Sequence, residues 1–249
     1  MSLSLAAKFA RRELRGGLRG FRVFLACLAL GVAAIAAVGT VRAGIHAGLQ
    51  AEGAALLGGD AEATFTYRFA NDDERAFLDD IAQTVSETVD FRSMAVMGDE
   101  RALTQVRAVD DFYPLVGHVQ LAPDLPLSDA LADYGAVMER VLADRLGLTP
   151  GDTFQLGTQA FTLRAVLLRY PDNASGGFGL GPRSIVKTAD LADAGLIVEG
   201  TLFDTQYRLD LPPNTDLAAL ETRAMDQFAN AGLRWRDSRR GAGGTERFI

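Results

Sequence analysis

Nineteen consecutive residues, 23–41 (VFLACLALGVAAIAAVGTV), carry no charge, and Thr40 is the one clearly polar side chain among them. At 1.5 Å per residue this run makes a helix of roughly 28 Å, close to the thickness of a bilayer's hydrocarbon core, where only a helix satisfies its own backbone. A secretory signal has a shorter core, about 7–15 residues, and a small-residue cleavage site that Val38-Gly39-Thr40 matches poorly. A buried helix of a soluble protein rarely runs so far without a polar face. The pattern therefore predicts a membrane-spanning helix. Before it, Leu3, Leu5, Ala6, Phe9, Ala10 and Leu14 form a loose helical stripe opposite Lys8, Arg11, Arg12 and Arg15. That stripe predicts an amphipathic helix on the inner leaflet, with membrane lipid as its partner, broken at Gly16-Gly17. After the span, residues 43–58 read as a small-residue-rich helical continuation, a stalk that ends at Gly58-Gly59.

Beyond the stalk the periodicity changes. Residues 62–67 (EATFTY) alternate and are rich in threonine and aromatics, which predicts a strand. Asn71-Asp72-Asp73-Glu74 caps a helix that places Phe77, Leu78 and Ile81 on one face. Residues 88–96 and 102–109 read as a hairpin turning at Gly98-Asp99 and closed by Asp110-Asp111-Phe112-Tyr113-Pro114. Residues 137–146 (VMERVLADRL) predict a short amphipathic helix ended by Gly147, and 148–152 a tight turn. Strands are expected at 153–156 and 161–168, joined at Gly157, then at 184–187, 206–211 and 233–236. Helices are expected at 188–194 and 216–230. Strands and helices intersperse without regular βαβ repetition, so the expected class is α+β. No stretch after residue 58 is long and apolar enough for a second crossing.

Charge orients the span. Residues 1–22 carry Lys8, Arg11, Arg12, Arg15, Arg19 and Arg22 against Glu13, a net of +5; with −7 for the whole chain, −12 is left for 23–249. Only Arg42 lies close on the far side. The positive-inside rule puts the N-terminus in the cytoplasm and residues after about 45 outside it. The acidic remainder argues against nucleic acid as a partner. The lone cysteine, Cys27, sits in the apolar run, so neither a disulfide within the chain nor a cysteine metal site is available.

Candidate chemistry is thin. His46 and His118 are the two histidines, and neither has a metal-ligand spacing to another histidine or cysteine. No G-x-S-x-G elbow offers a nucleophile, and His118 reads as a turn or surface residue. The stretch 175–183 (SGGFGLGPR) fits neither phosphate-loop pattern, and Pro182 removes a donor where phosphate would sit, so it reads as an exposed loop. Asp72-Asp73-Glu74 and Asp110-Asp111 fall at helix starts and strand ends, where capping accounts for them. Asn173-Ala174-Ser175 matches a glycosylation acceptor, a three-residue pattern of little weight. No catalytic, cofactor-binding or metal-ligating residue is nominated, and an enzyme is not expected.

The order of these pieces carries a resemblance. The basic start Phe9-Ala10-Arg11-Arg12-Glu13-Leu14-Arg15 leads into one membrane helix and an exported domain of roughly 200 residues. Residues 102–114 (ALTQVRAVDDFYP), 145–156 (RLGLTPGDTFQL), 178–187 (FGLGPRSIVK) and 235–248 (WRDSRRGAGGTERF) follow in sequence. Together they resemble the N-terminal half of an ABC transporter permease of the MacB/FtsX/LolC type, most closely its YbbP-like branch. The resemblance implies a cytoplasmic segment (1–20), a transmembrane helix and stalk (21–58) and a mixed α+β periplasmic core-like domain (59–249). It implies a bacterial inner-membrane location, and further membrane helices beginning about where the chain stops, so that the chain is a fragment, a truncation or half of a split permease. It implies a separate ABC ATPase subunit, a dimer or heterodimer of permeases and a possible periplasmic partner. In this reading the first helix couples the ATPase to export or force transmission. The alternative is an autonomous single-pass membrane protein whose exported domain binds a ligand or partner. Inserting two lysines near Ala33 is expected to abolish membrane integration, since each charge costs about 3 kcal/mol at mid-membrane; recovery of the intact variant in the membrane fraction counts against the span.

Overall fold

The uncharged run folds as one helix, α1 (Phe21–Val41), long and apolar enough to cross a membrane. Its clearly polar side chain is satisfied within the helix, Thr40 Oγ1 donating to the Ala36 carbonyl at 2.9 Å. The computed structural model describes residues 21–41, 53–172, 181–192, 194–198 and 200–241. The expected amphipathic N-terminal helix, His46, the stalk over 42–52, most of the glycine-rich stretch (173–180) and residues 242–249 lie outside them. The chain divides into two units, Met1–Gly48 and Leu49–Ile249.

In the second unit residues 53–57 form a helical turn, and Gly58 at φ +82 redirects the chain toward β1 (Ala61–Thr66). A side chain at Gly58 would meet Asp172 Cβ at 2.8 Å and Arg208 Cδ at 2.9 Å, so glycine is required both by its φ and by its neighbours. Helix α2 (Asp72–Ile81) starts as its sequence expects. Asn71 accepts from the Glu74 amide at 2.9 Å while Glu74 accepts from the Asn71 amide at 2.8 Å, a complete capping box. Glu74 is buried and also takes both guanidinium ends of Arg68 at 2.7 Å. Phe77 and Leu78 face the core.

Strands β2 (Thr84–Met97) and β3 (Glu100–Val109) form the expected hairpin, with Gly98 at φ +57 in its two-residue turn. Two short elements that the sequence pattern did not announce follow, β4 (Gln120–Ala122) and α3 (Leu127–Ala130). The expected helix over 137–146 is corrected. Its first three residues belong to β5 (Gly135–Glu139), and only Arg140–Leu146 is helical, as α4. The run GAVME is buried between β-strands on both sides, and such a short apolar run has no period to separate strand from helix. Gly147, at φ +67, ends α4 as expected. Then come β6 (Thr153–Leu156), β7 (Gln159–Arg169) and β8 (Arg183–Lys187). The helix expected at 188–194 is a 3-10 turn over Thr188–Leu191. The chain continues as β9 (Phe203–Asp210), three residues earlier than expected, α5 (Leu217–Phe228), β10 (Arg234–Asp237) and the short α6 (Ser238–Gly241).

Among the described residues the strands make one ten-stranded sheet in the order β10-β1-β9-β2-β3-β8-β5-β7-β4, with β6 pairing β2 and β7. Pairing is antiparallel except for β3 with β8 and β5 with β7. The class is α+β. Helices α2 and α5 cover one face of β1, β9, β2 and β10 through Phe65, Phe77, Tyr207, Leu220, Phe228 and Trp235. Helix α4 packs with β2, β3, β5, β6 and β7 around Leu142, Phe154 and Phe161. A third, smaller cluster sits against β8, β5 and β7 beneath α3.

Because the capping box closes α2 over a cluster that contains Trp235, the chain's single tryptophan, its loss is readable by fluorescence. Asn71→Ala is expected to lower the urea stability of this unit by about 1 kcal/mol, against about 2–5 kcal/mol for Leu142→Ala in the neighbouring cluster. Equal midpoints for wild type and Asn71→Ala rule out a stabilising cap.

Candidate functional site

The strand registers put polar side chains on one face of the central sheet. Glu62 pairs with Arg208 and Arg236, Gln206 with Thr88, and Asp90 with Arg107, so all of these project to the same side. Val85, Val89, Ala63, Tyr207 and Leu209 alternate onto the opposite, apolar side. Such alternation ordinarily marks a face turned to water. Here that face is covered, and Glu62, Thr88, Arg107 and Arg208 are each exposed by 1% or less. What covers it is the incoming chain around residues 54–60 and Asp172, shortly after β7.

Asp172 is the centre of the cover. Its carboxylate Oδ2 takes a close charge-assisted hydrogen bond from Arg107 Nη1 and an ion pair from Arg208 Nη2 at 2.7 Å. Its Oδ1 accepts from the Tyr113 hydroxyl at 3.0 Å. Arg107 grips Asp90 with two parallel bonds, Nε to Oδ1 at 2.8 Å and Nη2 to Oδ2 at 2.7 Å, the fork geometry of the strongest protein ion pairs. Arg208 fans out to Thr88 Oγ1 at 2.5 Å, Gln206 Oε1 at 2.7 Å and the Leu57 carbonyl at 3.1 Å. Glu62 lies between Arg236, at 2.5 Å, and Arg208, at 3.6 Å. Arg183 is buried, 3.8 Å from Asp90 and with its guanidinium over the Tyr170 ring. Four arginines (107, 183, 208, 236) thus face three carboxylates (62, 90, 172).

The network holds backbone as well as side chains. The Asp172 amide donates to the Ala55 carbonyl at 3.4 Å, next to the Leu57 carbonyl that Arg208 holds. Three residues after Leu57, Asp60 is fixed three ways. Its amide donates to Leu209 O at 2.9 Å, its carboxylate accepts from the Leu211 amide at 3.0 Å, and its carbonyl accepts from the Ser238 amide at 2.8 Å. Residues 55–60 are therefore clasped to β9, to the start of α6 and, through Asp172, to β2 and β3.

Electrostatics follow from burial. Desolvation alone pushes the Asp90 carboxyl up, but the Arg107 charge and hydrogen bonds, with Arg183 and Arg208, outweigh it and hold Asp90 down at about 2. Burial likewise disfavours the Arg107 charge, and Asp90 and Asp172 restore it, raising Arg107 above its ordinary value. The Tyr113 hydroxyl is pushed up by burial and by Asp172, so it stays a donor.

The positions singled out in the sequence fall elsewhere. His118 is exposed, 3.2 Å from Gln120 Nε2. Glu74 and Asp110 cap as expected, Asp110 accepting from Ser86 Oγ at 2.8 Å and from the Glu87 amide at 2.6 Å. Among the described residues no group of three or more His, Cys, Asp or Glu could hold a metal ion. The clasp residues escaped the sequence reading. Their signal was faint: Asp90 and Arg107 occupy polar positions of alternating strands, like their neighbours Thr88, Arg92 and Gln105, and Asp172 borders the glycine-rich stretch.

What the arrangement does is fix geometry. A buried ion network contributes little net stability when complete, but removing one partner strands the others without solvent. Asp172→Ala, which leaves Arg107 and Arg208 without their shared carboxylate, is expected to cost about 3–5 kcal/mol, read from Trp235 fluorescence in urea. Asp90 sets an acid limb. Its carboxyl is depressed in the folded state from an ordinary 3.8 to about 2, so its contribution is complete above pH 3.8 and disappears as pH falls through 2. Asp90→Asn is expected to flatten the pH dependence of stability between pH 5 and 2 by roughly 2 kcal/mol. An acid limb of unchanged steepness in that variant contradicts the assignment.

With this geometry in place, known proteins give it a family. Residues 23–227 match the MacB-like periplasmic core domain. The uncharacterized ABC transporter permease YbbP of Escherichia coli (strain K12) is 28% identical over 184 residues, 73% of this chain. The chain spans 22% of that relative's length. Among solved structures, the periplasmic region of MacB from Actinobacillus actinomycetemcomitans aligns at a TM-score of 0.48 and 10% identity, covering 74% of this chain and 92% of that one. The extracellular domain of the transporter YknZ from Gram-positive bacteria aligns at 0.47 and 11%, covering 71% and 98%. The chain, matched over most of its length, belongs to the MacB-like periplasmic core domain family, the domain of ABC transporter permeases.

Proposed function

We propose that this chain is the N-terminal part of an ABC transporter permease in which α1 and the residues after it carry motion between a separate ATPase and the sheet domain, in export or force transmission across the inner membrane. The clasp is the observation that supports the reading. The only covalent path from α1 into the sheet domain runs through residues 42–60, and its last residues are hydrogen-bonded into a buried ionic face. A displacement of that path is thus passed to β1, β2, β3 and β9 together. The basic residues before α1 favour a cytoplasmic N-terminus and a periplasmic domain after about residue 45. In this reading residues 1–20 lie on the inner leaflet, 21–58 form span and stalk, and 59–249 form the core-like domain. A dimer or heterodimer of permeases and a periplasmic partner complete the assembly.

The reading is tested in the permease that carries this segment. It is expected to copurify with a separate ABC ATPase and to stimulate its ATP hydrolysis. Gly58→Val, which drives a side chain into Asp172 and Arg208, is expected to keep the copurification and remove the stimulation. A phosphatase fused after Asp60 is expected to be active only if exported, and a cytoplasmic reporter there to be silent. Failure of the intact permease to associate with any ATPase sinks the proposal.

A further inference from the structure

The side of the sheet domain beneath α3 carries a second feature, whose reading does not rest on the coupling proposal. Two clefts meet at Leu127. One, of about 500 Å³, is lined by Pro114, Val119, Leu125 and Pro126 with Asp124 and His118. The other, of about 160 Å³, is lined by Tyr113, Leu131 and Ala132 with Asp110, Asp111 and Lys187. Phe112, between two of these residues in sequence, is 60% exposed. Half-buried Leu125 and Leu127, with exposed Phe112, offer apolar side chains to a partner beside a polar lining of similar extent.

Its charge selects the occupant. From residue 109 to residue 139 the chain has Asp110, Asp111, Asp124, Asp129, Asp133 and Glu139 and not one lysine or arginine. Those six negative charges are half of the net −12 carried by residues 23–249, on about a seventh of its length. Of the six, Asp110 is taken up by Ser86 and backbone amides, and Asp111 by Lys187 at 2.7 Å. Asp124, Asp129 and Asp133 are exposed and have no ion pair to any described residue, Asp129 accepting only from the Ser128 hydroxyl at 3.3 Å, so their field reaches solvent unneutralised. A mixed cleft with such a rim attracts cationic partners and repels phosphate-bearing ones, anionic lipid and nucleic acid alike. The larger cleft is open rather than enclosed, and a small molecule there would keep much of its surface in water. A chain segment does not need enclosure, since its own protein covers its outer side.

We propose that this double cleft is a docking surface for a basic polypeptide segment, one that seats apolar side chains around Leu125 and Leu127 and sets lysines or arginines against Asp124 and Asp129. The test uses the full chain in nanodiscs of zwitterionic lipid, with empty nanodiscs as the blank. The probes are a fluorescent Lys-Leu-Lys-Phe-Lys-Leu-Lys peptide, its counterpart with every Lys replaced by Glu, and one with every Leu and Phe replaced by Ser. The first is expected to bind and the other two to bind at least about tenfold more weakly, the factor that a difference of 1.4 kcal/mol gives. Asp124→Lys with Asp129→Asn is expected to weaken the first peptide by at least about tenfold. Asp79→Lys with Asp226→Asn makes the same charge change on α2 and α5 and is expected to leave it unchanged. Leu125→Ser supplies an apolar arm, with Trp235 fluorescence reporting its folding. The proposal is overturned if the basic peptide does not bind the wild type, if the two charge variants weaken it equally, if Leu125→Ser folds and binds as wild type, or if the serine peptide binds as tightly.

Discussion

One carboxylate, Asp172, sits between two guanidinium groups that are shut off from water. Arg107 and Arg208 come from strands separated in the sheet by β2, and both are buried. Each has surrendered several kcal/mol of hydration, which only near-contact carboxylates and hydrogen-bond acceptors can offset. The rest of the sheet domain is arranged to meet that demand. Asp90 stands opposite Arg107 in register, Thr88 and Gln206 flank Arg208, and the helical turn at 53–57 delivers the Leu57 carbonyl. Gly58 is what lets the backbone come close enough to deliver it. None of these contacts can be shifted by a residue without stranding a charge. The network therefore fixes where the chain from α1 joins the sheet more sharply than apolar packing could.

The same face of the sheet changes chemistry along its width. From β10 to β3 it is ionic, while at β8, β5 and β7 it becomes the apolar cluster of Val109, Ile185, Val137, Ala165 and Leu167. Tyr113 stands at the change. Its ring belongs to the apolar cluster and lines the smaller cleft, and its hydroxyl donates to Asp172. A tyrosine suits this position because one end is a hydrophobe and the other a donor that burial keeps protonated. The clasp and the double cleft are in this way built from one continuous surface, and Tyr113 touches both.

How much of this was legible depended on the range of the interaction. The capping box at Asn71 and Glu74, the hairpin at Gly98 and the helix end at Gly147 are set by residues within four positions of one another, and the sequence pattern predicts all three. Residues 137–139 were misread because Val137 and Met138 continue the apolar spacing of Val141 and Leu142 backward into a strand. Only pairing with β7 and β8 decides their state. The clasp was beyond reach for a further reason. Leu57 and Arg208 are 151 positions apart, and Arg107 and Asp172 are 65 apart. In one dimension Asp90 and Arg107 look like the solvent-side members of alternating strands. Their burial follows from which segment lies over that face, and no local pattern states it.

The chemistry of the clasp bears on what it can transmit. Apolar contacts have no preferred direction, so a slide that keeps two surfaces packed exchanges one set of dispersion contacts for another. A hydrogen bond from a guanidinium to a carboxylate is different, because it weakens steeply with distance and angle. In a buried site it cannot be replaced by water. A pull on residues 55–60 therefore meets a stiff response shared by Arg208, Asp172 and the three bonds of Asp60, and it reaches β2 and β3 through Arg107 rather than being absorbed as local slip. For a segment proposed to relay motion into a sheet, an ionic seat with a fixed register is the better joint, even though an apolar one of equal area would hold the domain together as well.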